Sequence, residues 1–258
     1  MLIRKMLRKL ISDRHKHMSR FRFLSFCILY LVSMTLYAQE NALLVGYSCA
    51  IRYCEEQKVP ETETRYLVIG DSTSYFVREN DTEDDVVLKN YPKKGMLTYK
   101  GKISYPLFYY QESIPAFDWD FIDADTTICG YSCQKAQVHF RGRNWIVWYA
   151  ADLPYSDGPW KLCGLPGLIL KAQDVKGDFR FAAYKISKTK FDKSIFTTKR
   201  YKKITPKEFA EYLTFERKDS FAFIEAMTGI KTVINGKSSY FTPKTACLLE
   251  YFDNMKSW

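Results

Sequence analysis

Few residues beyond position 38 of this 258-residue chain combine a type and a spacing that point to acid–base catalysis. His139 is the only histidine there, and it lies in an alternating segment where a solvent-facing polar residue is the simpler interpretation. The carboxylate pairs Asp118/Asp120 and Asp123/Asp125 have a spacing of two, which on a strand places both members on one face, about 6–7 Å apart. Glycosidases use a comparable separation, but a polar edge and a turn between strands explain the pairs more simply.

The sequence contains no complete catalytic or cofactor-binding motif. Residues 130–134 (GYSCQ) match a nucleophile elbow at three positions, but Gln134 stands where the final glycine belongs. HExxH, Walker, dinucleotide-binding and EF-hand patterns are all absent from the sequence. We therefore predict no catalytic residue, no metal and no cofactor. A hydrolase without a recognisable motif remains the alternative.

Composition and charge indicate a β-rich globular protein. Apolar residues make up 47% of the chain and aromatic residues 16%, enough for a core and favourable for strands. The net charge of +10 would suggest a nucleic-acid partner. Residues 1–22 hold eight Lys and Arg against Asp13 alone, so they supply +7 of that charge. The remaining +3 does not favour nucleic-acid binding.

The N-terminus has the parts of a secretory signal. After the basic stretch, residues 23–38 (FLSFCILYLVSMTLYA) carry no charge and end in a small residue. A spanning helix needs roughly 20 apolar residues, so this run is short for a membrane anchor, although a retained anchor is the alternative. We predict a signal peptide over residues 1–38, with Met18 as a second candidate start, and one domain over residues 39–258.

The cysteines beyond the leader are even in number: Cys49, Cys54, Cys129, Cys133, Cys163 and Cys247. An even count in an exported chain favours disulfides. The two close pairs lack the two-residue gap of zinc sites, which leaves free buried thiols as the main alternative. We expect at least one disulfide, Cys133–Cys163, because both residues border the hairpin that the sequence predicts around Arg141–Arg143.

Strand patterns dominate residues 43–186. Ala136, Val138 and Phe140 alternate with polar residues, as in a half-buried strand. Turn signals then predict the following: strand 43–53; strands 65–70 and 74–78 around Asp71-Ser72; a loop at 80–85; a hairpin turning at Lys100-Gly101; strand 117–122 with a turn at 123–125; a hairpin turning at Arg141–Arg143; and a hairpin turning at Lys176-Gly177.

Helices are predicted only near the C-terminus. Thr205-Pro206-Lys207-Glu208 forms a capping box with proline at the first helical position. A second helix is predicted over residues 219–227, ending at Gly229. The expected fold class is therefore mostly β: a curved antiparallel sheet or partial barrel with a short C-terminal helical region.

Residues 160–169 (WKLCGLPGLI) contain the string GLPGLI, and the chain resembles the GLPGLI family of exported bacterial proteins. The upstream context also matches: ICGYSCQKA at 128–136, FRGR at 140–143, the strand at 145–149, Leu153-Pro154 and GPWK at 158–161. The resemblance covers about residues 117–172. It implies an exported β-rich domain, and it implies no activity and no functional residues.

The signature itself predicts a turn into a strand. The residue before proline favours an extended backbone, and Pro166-Gly167 suits the two central positions of a type II turn. Residues 168–170 (LIL) would then begin a buried strand.

The longest predicted connection, 152–167, is the candidate binding surface. It holds three prolines and three glycines and exceeds the length of an ordinary hairpin loop. Tyr155 and Trp160 would be aromatic anchors on a stiffened loop, and Arg141 and Arg143 in the preceding turn would add charge for an anionic group. In the alternative interpretation, Trp160 folds back to cover the open end of the sheet.

The sequence thus predicts a binding or cell-envelope accessory protein without enzymatic activity. It would be exported to the periplasm, the outer membrane surface or the medium. Its partner would be an envelope protein or ligand, and it would contact a membrane only through a retained leader. A hydrolase and a purely structural envelope component are the alternatives.

Overall fold

The computed structural model describes residues 41–52 and 57–229 of the chain. The predicted signal peptide, Cys54 and Cys247 lie outside these residues. Within them, no helix combines the length and apolar character needed to cross a membrane.

The described chain contains twelve strands, a short 3₁₀ helix at Lys193–Phe196 and two α-helices: β1 (Asn41–Ile51), β2 (Glu61–Ile69), β3 (Ser74–Arg78), β4 (Val86–Lys89), β5 (Met96–Lys102), β6 (Leu107–Ser113), β7 (Asp120–Ile128), β8 (Tyr131–Phe140), β9 (Arg143–Ala150), β10 (Leu168–Asp174), β11 (Phe179–Lys190), β12 (Lys202–Lys203), α1 (Pro206–Lys218) and α2 (Ser220–Thr228).

These strands form one open sheet with the order β12-β6-β5-β4-β3-β2-β1-β11-β10-β9-β8-β7. The chain builds β1 to β6 outward, restarts at the opposite edge with β7, and returns until β11 pairs with β1. Among the described strands the pairings are antiparallel, apart from β12, which runs parallel to β6. The predicted fold class, a mostly β antiparallel sheet with a short C-terminal helical region, is confirmed.

A salt bridge between Arg141 and Glu112 shows how strongly the sheet curves. Arg141 lies in the turn between β8 and β9, whereas Glu112 lies on β6. In the sheet order β6 and β8 are nine positions apart, which in a flat sheet would separate them by roughly 40 Å. The two ends of the sheet therefore curl toward each other.

The inner face of this curve carries the largest hydrophobic core. Ala136, Val138 and Phe140 all face it, as their alternation predicts. Its largest buried side chains come from both halves of the sheet and from the loop before β10: Tyr47, Phe76, Trp145, Trp160 and Phe181. Burying each contributes about 1.5–3 kcal/mol, so this core joins the two halves.

A separate cluster covers the outer face of β2, β3 and β4. Val68, Tyr75 and Leu88 pack there against Ile195 of the 3₁₀ helix. A third cluster lies where α1 and α2 cover β5 and β6, with Phe108, Tyr110, Phe209 and Phe223 buried. Both α-helices match their predictions: the Thr205 capping box is formed and Gly229 ends α2 with a φ of +72°.

The predicted turn at Lys100-Gly101 is wrong, because both residues lie within β5. The hairpin instead turns at 103–106, where the Ile103 amide donates to the Pro106 carbonyl at 3.1 Å. Gly101 is glycine for a steric reason, since a Cβ there would meet the Tyr99 ring at 2.9 Å.

The predicted turn at 123–125 is also wrong. β7 continues through it with a register shift between Ile122 and Asp125, which is how a bulge appears in a ladder. The turn follows at Cys129-Gly130, where φ is +51° and +82°. The turns at Asp71-Ser72 and Lys176-Gly177 and the loop at 80–85 agree with the sequence pattern.

The buried side chain of Lys100 fastens the covering segment to the outer face. Its Nζ donates to the Ile195 carbonyl at 2.6 Å and to the Thr197 carbonyl at 3.4 Å. Burial lowers the pKa of Lys100 from 10.5 to about 8, and nearby Glu83 opposes this shift.

We predict that Lys100 makes the free energy of unfolding rise with pH between about pH 8 and 10.5. In this window the unfolded chain still holds the proton that the folded chain has lost, so the unfolded state binds more protons. The measurement is urea unfolding of wild type and Lys100→Met at pH 7 and pH 10. The stability of wild type relative to the variant should increase at pH 10. A constant or decreasing difference would contradict the assignment.

Candidate ligand-binding cleft

Two buried lysines hold the 152–167 loop against the sheet. Lys89, at the end of β4, forms a salt bridge with Asp157 and donates to the carbonyls of Gly158 at 2.6 Å and Leu162 at 3.1 Å. Ser74 donates its hydroxyl to the other carboxylate oxygen of Asp157. The buried oxygens of Asp157, Gly158 and Leu162 are thereby paired, as buried polar groups require.

The second lysine lies within the loop. Lys161 is fully buried and donates to the Tyr110 hydroxyl and to the Glu112 carboxylate, each at 2.8 Å. Its ammonium also lies 4.9 Å from the centre of the Tyr110 ring, a distance suited to a cation–π contact. Because Glu112 also binds Arg141, one carboxylate links the loop, β6 and the β8–β9 turn.

Trp160 is 1% exposed, so the prediction that it is a surface anchor is wrong. It lies in the inner core, with its ring 5.6 Å from that of Trp145 and 5.4 Å from that of Phe140. Trp160 lies between Gly158 and Leu162, whose carbonyls both accept hydrogen bonds from Lys89, and its ring is turned inward. The alternative reading, in which Trp160 folds back over the sheet, describes its position better.

The signature residues are set by close packing. The predicted type II turn is not formed, since Gly167 does not have a positive φ. Glycine is required there because a Cβ would lie 2.2 Å from the Ala150 carbonyl oxygen. Gly164 does have a positive φ, +95°. Leu165 and Leu168 are buried in the core.

Arg141 and Arg143 both form salt bridges within the protein, and for the buried Arg143 this corrects the predicted role of binding an external anion. Arg143 is buried and bonds to Asp174 at 2.6 Å and Asp178 at 3.0 Å, holding the β10–β11 hairpin. Arg141 is turned toward Glu112. Both arginines balance internal carboxylates.

The expected Cys133–Cys163 disulfide is not formed, and the four described cysteines are free thiols. The two residues lie in different surroundings. Cys133 donates its thiol to the Tyr131 carbonyl at 3.4 Å, whereas Cys163 follows the residue that Lys89 holds. Burial raises the pKa of the Cys163 thiol to about 11 and that of Cys49 to about 12, so both are protonated at neutral pH and poor nucleophiles.

Tyr155 is the predicted site residue that remains at the surface. It is 37% exposed and borders a cleft of about 750 Å³, which we call the Tyr155 cleft. Leu43 and Ile69, directly paired across β1 and β2, form part of its lining. The rest comes from Asn41 and Ala42 of β1, residues 70–74 from the end of β2 to the start of β3, Asn90, residues 154–157, and Lys188 of β11.

Charges in the Tyr155 cleft are already balanced. Asp157 is occupied by Lys89, Ser74 and the Gly158 amide, so it is a structural carboxylate. The other charged residues of the lining are Asp71 and Lys188, of opposite sign. The density of prolines and glycines in residues 152–167 led to the prediction of Tyr155. Asn90 and Lys188 could not be predicted in the same way, because no local sequence pattern connects them to Tyr155.

The candidate acid–base residues lie elsewhere. Asp118, Asp120 and His139 share a smaller cleft of about 360 Å³ on β7–β9. There Asp120 accepts from the Gln137 amide at 2.7 Å, and the His139 ring bonds to Asn144 at 2.7 Å. Asp123 and Asp125 border another cleft, with the exposed ring of Phe121. The described residues contain no group of side chains suited to hold a metal ion.

Comparisons with known proteins bear on the fold. Two solved structures of PNGF-II, in space groups C2 and P21, superpose with a TM-score of 0.54 at 16% and 17% sequence identity. The match covers 69% of this chain but only 33% and 34% of those chains, so this chain spans about a third of their length. At this identity the likeness shows the fold alone. No family model matches the chain, and no curated protein matches it.

Replacing the two aromatic residues of the loop should have opposite consequences. We expect Trp160→Ala to lower the free energy of unfolding by about 3–5 kcal/mol, because it empties a core site. Tyr155→Ala should change it by less than about 0.5 kcal/mol, as at most surface positions. Urea unfolding followed by circular dichroism measures both. Equal losses would show that Tyr155 is also part of the core.

Breaking the salt bridge between Lys89 and Asp157 should destabilise the packing of the 152–167 loop against the sheet. We expect Lys89→Met to cost about 3–5 kcal/mol, because it leaves the buried Asp157 carboxylate uncompensated. The matched control is Lys207→Met on α1, whose exposed pair with Glu211 should contribute less than about 0.5 kcal/mol.

The double variant Lys89→Met/Asp157→Asn completes the cycle. Its loss of stability should be smaller than the sum of the two single losses, because the two groups act through each other. Additive losses would mean that Lys89 stabilises the protein independently of Asp157.

Proposed function

We propose that the chain is an exported binding or cell-envelope accessory protein that takes its ligand in the Tyr155 cleft. The basic and apolar leader supports export as a signal peptide. The partner is an envelope protein or ligand outside the cytoplasm. Membership of the GLPGLI family is part of this proposal, and it rests on the match over residues 117–172.

The observation that carries the proposal is an exposed aromatic side chain on an immobilised loop. Tyr155 is accessible, while Asp157 two residues away is tied to Lys89 and Ser74 in the interior. The backbone between them is also fixed, since the Tyr155 carbonyl accepts from the Asp157 amide at 2.8 Å and the Asp157 carbonyl from the Ile169 amide at 2.9 Å. Because the backbone is already ordered there, binding has to order only the Tyr155 side chain, which favours affinity.

The chemistry of the two clefts favours binding over hydrolysis. In the Tyr155 cleft, Asp157 already accepts hydrogen bonds from Lys89, Ser74 and the Gly158 amide, an arrangement that favours a structural role over that of a general base. In the smaller cleft, Asp120 and His139 bond to neutral amide side chains and not to each other. The Ser74 hydroxyl does donate to Asp157, but Ser74 is buried and Lys89 also binds that carboxylate, so this pair is better suited to holding the loop than to the nucleophile-and-base role that the hydrolase alternative needs.

Site-specific photo-cross-linking tests the proposal. The protein would be expressed in its native host with benzoylphenylalanine in place of Tyr155. The matched control carries it in place of Tyr105, which is 77% exposed on the β5–β6 turn. We expect a discrete cross-linked species from position 155 that position 105 does not give. Because Tyr105 is the more exposed of the two, greater access to bulk solvent cannot account for such a species.

The same adduct pattern from both positions would contradict a ligand site in this cleft. Recovery of the protein in the cytoplasm with residues 1–38 intact would contradict export.

A further inference from the structure

The lining of the Tyr155 cleft also indicates what kind of ligand it takes. Its charged members leave no net charge: Lys89 neutralises Asp157, and Asp71 faces the cleft together with Lys188. A site for phosphate or another anion would collect several cations, and a cation site several carboxylates. The balance favours an uncharged ligand.

The remaining polar groups can each donate and accept hydrogen bonds. They are the amides of Asn41 and Asn90 and the hydroxyls of Ser72, Thr73 and Ser156. Asn90 is oriented, because its Oδ1 accepts from the Gly95 amide at 3.0 Å, which leaves the amide nitrogen to donate. Such groups complement a ligand whose hydroxyls also both donate and accept.

The apolar part of the lining completes this requirement. Tyr155, Leu43 and Ile69 border the same cleft as the hydroxyl and amide groups. A pyranose ring has an apolar C–H face, which packs on an aromatic or aliphatic surface, and a polar rim of hydroxyls. The volume of about 750 Å³ lies within the usual range for small-molecule sites and accommodates several linked rings.

A peptide ligand fits this place less well. Peptides commonly bind by adding a strand to a free sheet edge. β1 and β2, which border the cleft, are each paired on both sides: β1 with β11 and β2, and β2 with β1 and β3. No backbone ladder is open there.

We propose that the Tyr155 cleft binds a neutral oligosaccharide, with Tyr155 as the stacking residue. This assignment rests on the proposed function, since it names the ligand class of the same cleft. It also predicts what each part of the side chain does: the ring contributes the stacking surface, and the hydroxyl is dispensable.

Calorimetric titration of the purified protein tests the assignment with cellohexaose, xylohexaose, mannohexaose and chitohexaose as neutral probes, and oligogalacturonate as the acidic one. We expect saturable binding of at least one neutral hexasaccharide. Tyr155→Ala should weaken it by about tenfold, whereas Tyr155→Phe and Tyr105→Ala should leave the affinity within about threefold. Unchanged melting temperatures would show that the variants are folded.

Three results would overturn the assignment: no binding of any neutral hexasaccharide, binding that Tyr155→Ala does not weaken, or binding of oligogalacturonate alone. The cross-linking experiment separates this failure from that of the proposed function. If a partner protein is cross-linked at position 155 but not at position 105, the proposed binding function stands and the ligand is a protein, not a sugar. If positions 155 and 105 give identical adducts, the proposal of a ligand site in this cleft fails as well.

Discussion

The buried ammonium group of Lys89 is the constraint on which the shape of the inner core depends. It reaches from the end of β4 to three oxygens of the 152–167 loop, on Asp157, Gly158 and Leu162. A buried lysine is costly unless it is paired and fully hydrogen-bonded, so the loop is confined to the conformation that supplies these three acceptors. That conformation places the Trp160 ring in the core.

A second charged network closes the curve of the sheet. Glu112 on β6 receives Lys161 from the loop and Arg141 from the β8–β9 turn, and thus connects elements from the two ends of the strand order. Hydrophobic packing is non-directional, whereas a carboxylate shared between two cations allows few arrangements. We infer that the aromatic core supplies most of the stabilisation and that the charged network selects the curvature.

The Tyr155 cleft follows from the same fastening. Residues 157 and 158 are held by Lys89 in the interior, and the preceding residues 154–156 line the cleft together with the β2–β3 turn. The charge of Asp157 is neutralised by Lys89 in the interior, so the cleft surface offers mainly an aromatic ring, amides and hydroxyls. This lining is the basis of the proposed binding role.

The sequence by itself determined the features that depend on neighbours within a few residues. The alternation at Ala136, Val138 and Phe140, the Thr205 cap and most turn signals led to the correct elements and fold class, because strand periodicity, capping and turn chemistry are local effects. Local signals failed where a distant group decided the outcome. Lys100-Gly101 resembles a turn, but the Ile195 and Thr197 carbonyls receive the lysine and the Tyr99 ring covers the glycine.

Only the tertiary structure decided the site. Lys89 and Asp157 are 68 residues apart, and Lys161 and Glu112 are 49 apart; in the sequence each looks like an ordinary solvated charge. Trp160 and Tyr155 stand in the same loop with similar local signals, yet one is core and the other surface. That difference arises because the curvature of the sheet brings β4 and β6 under the loop. The hydrogen-bonding groups and aromatic rings that the loop contacts there determine which side chain turns inward.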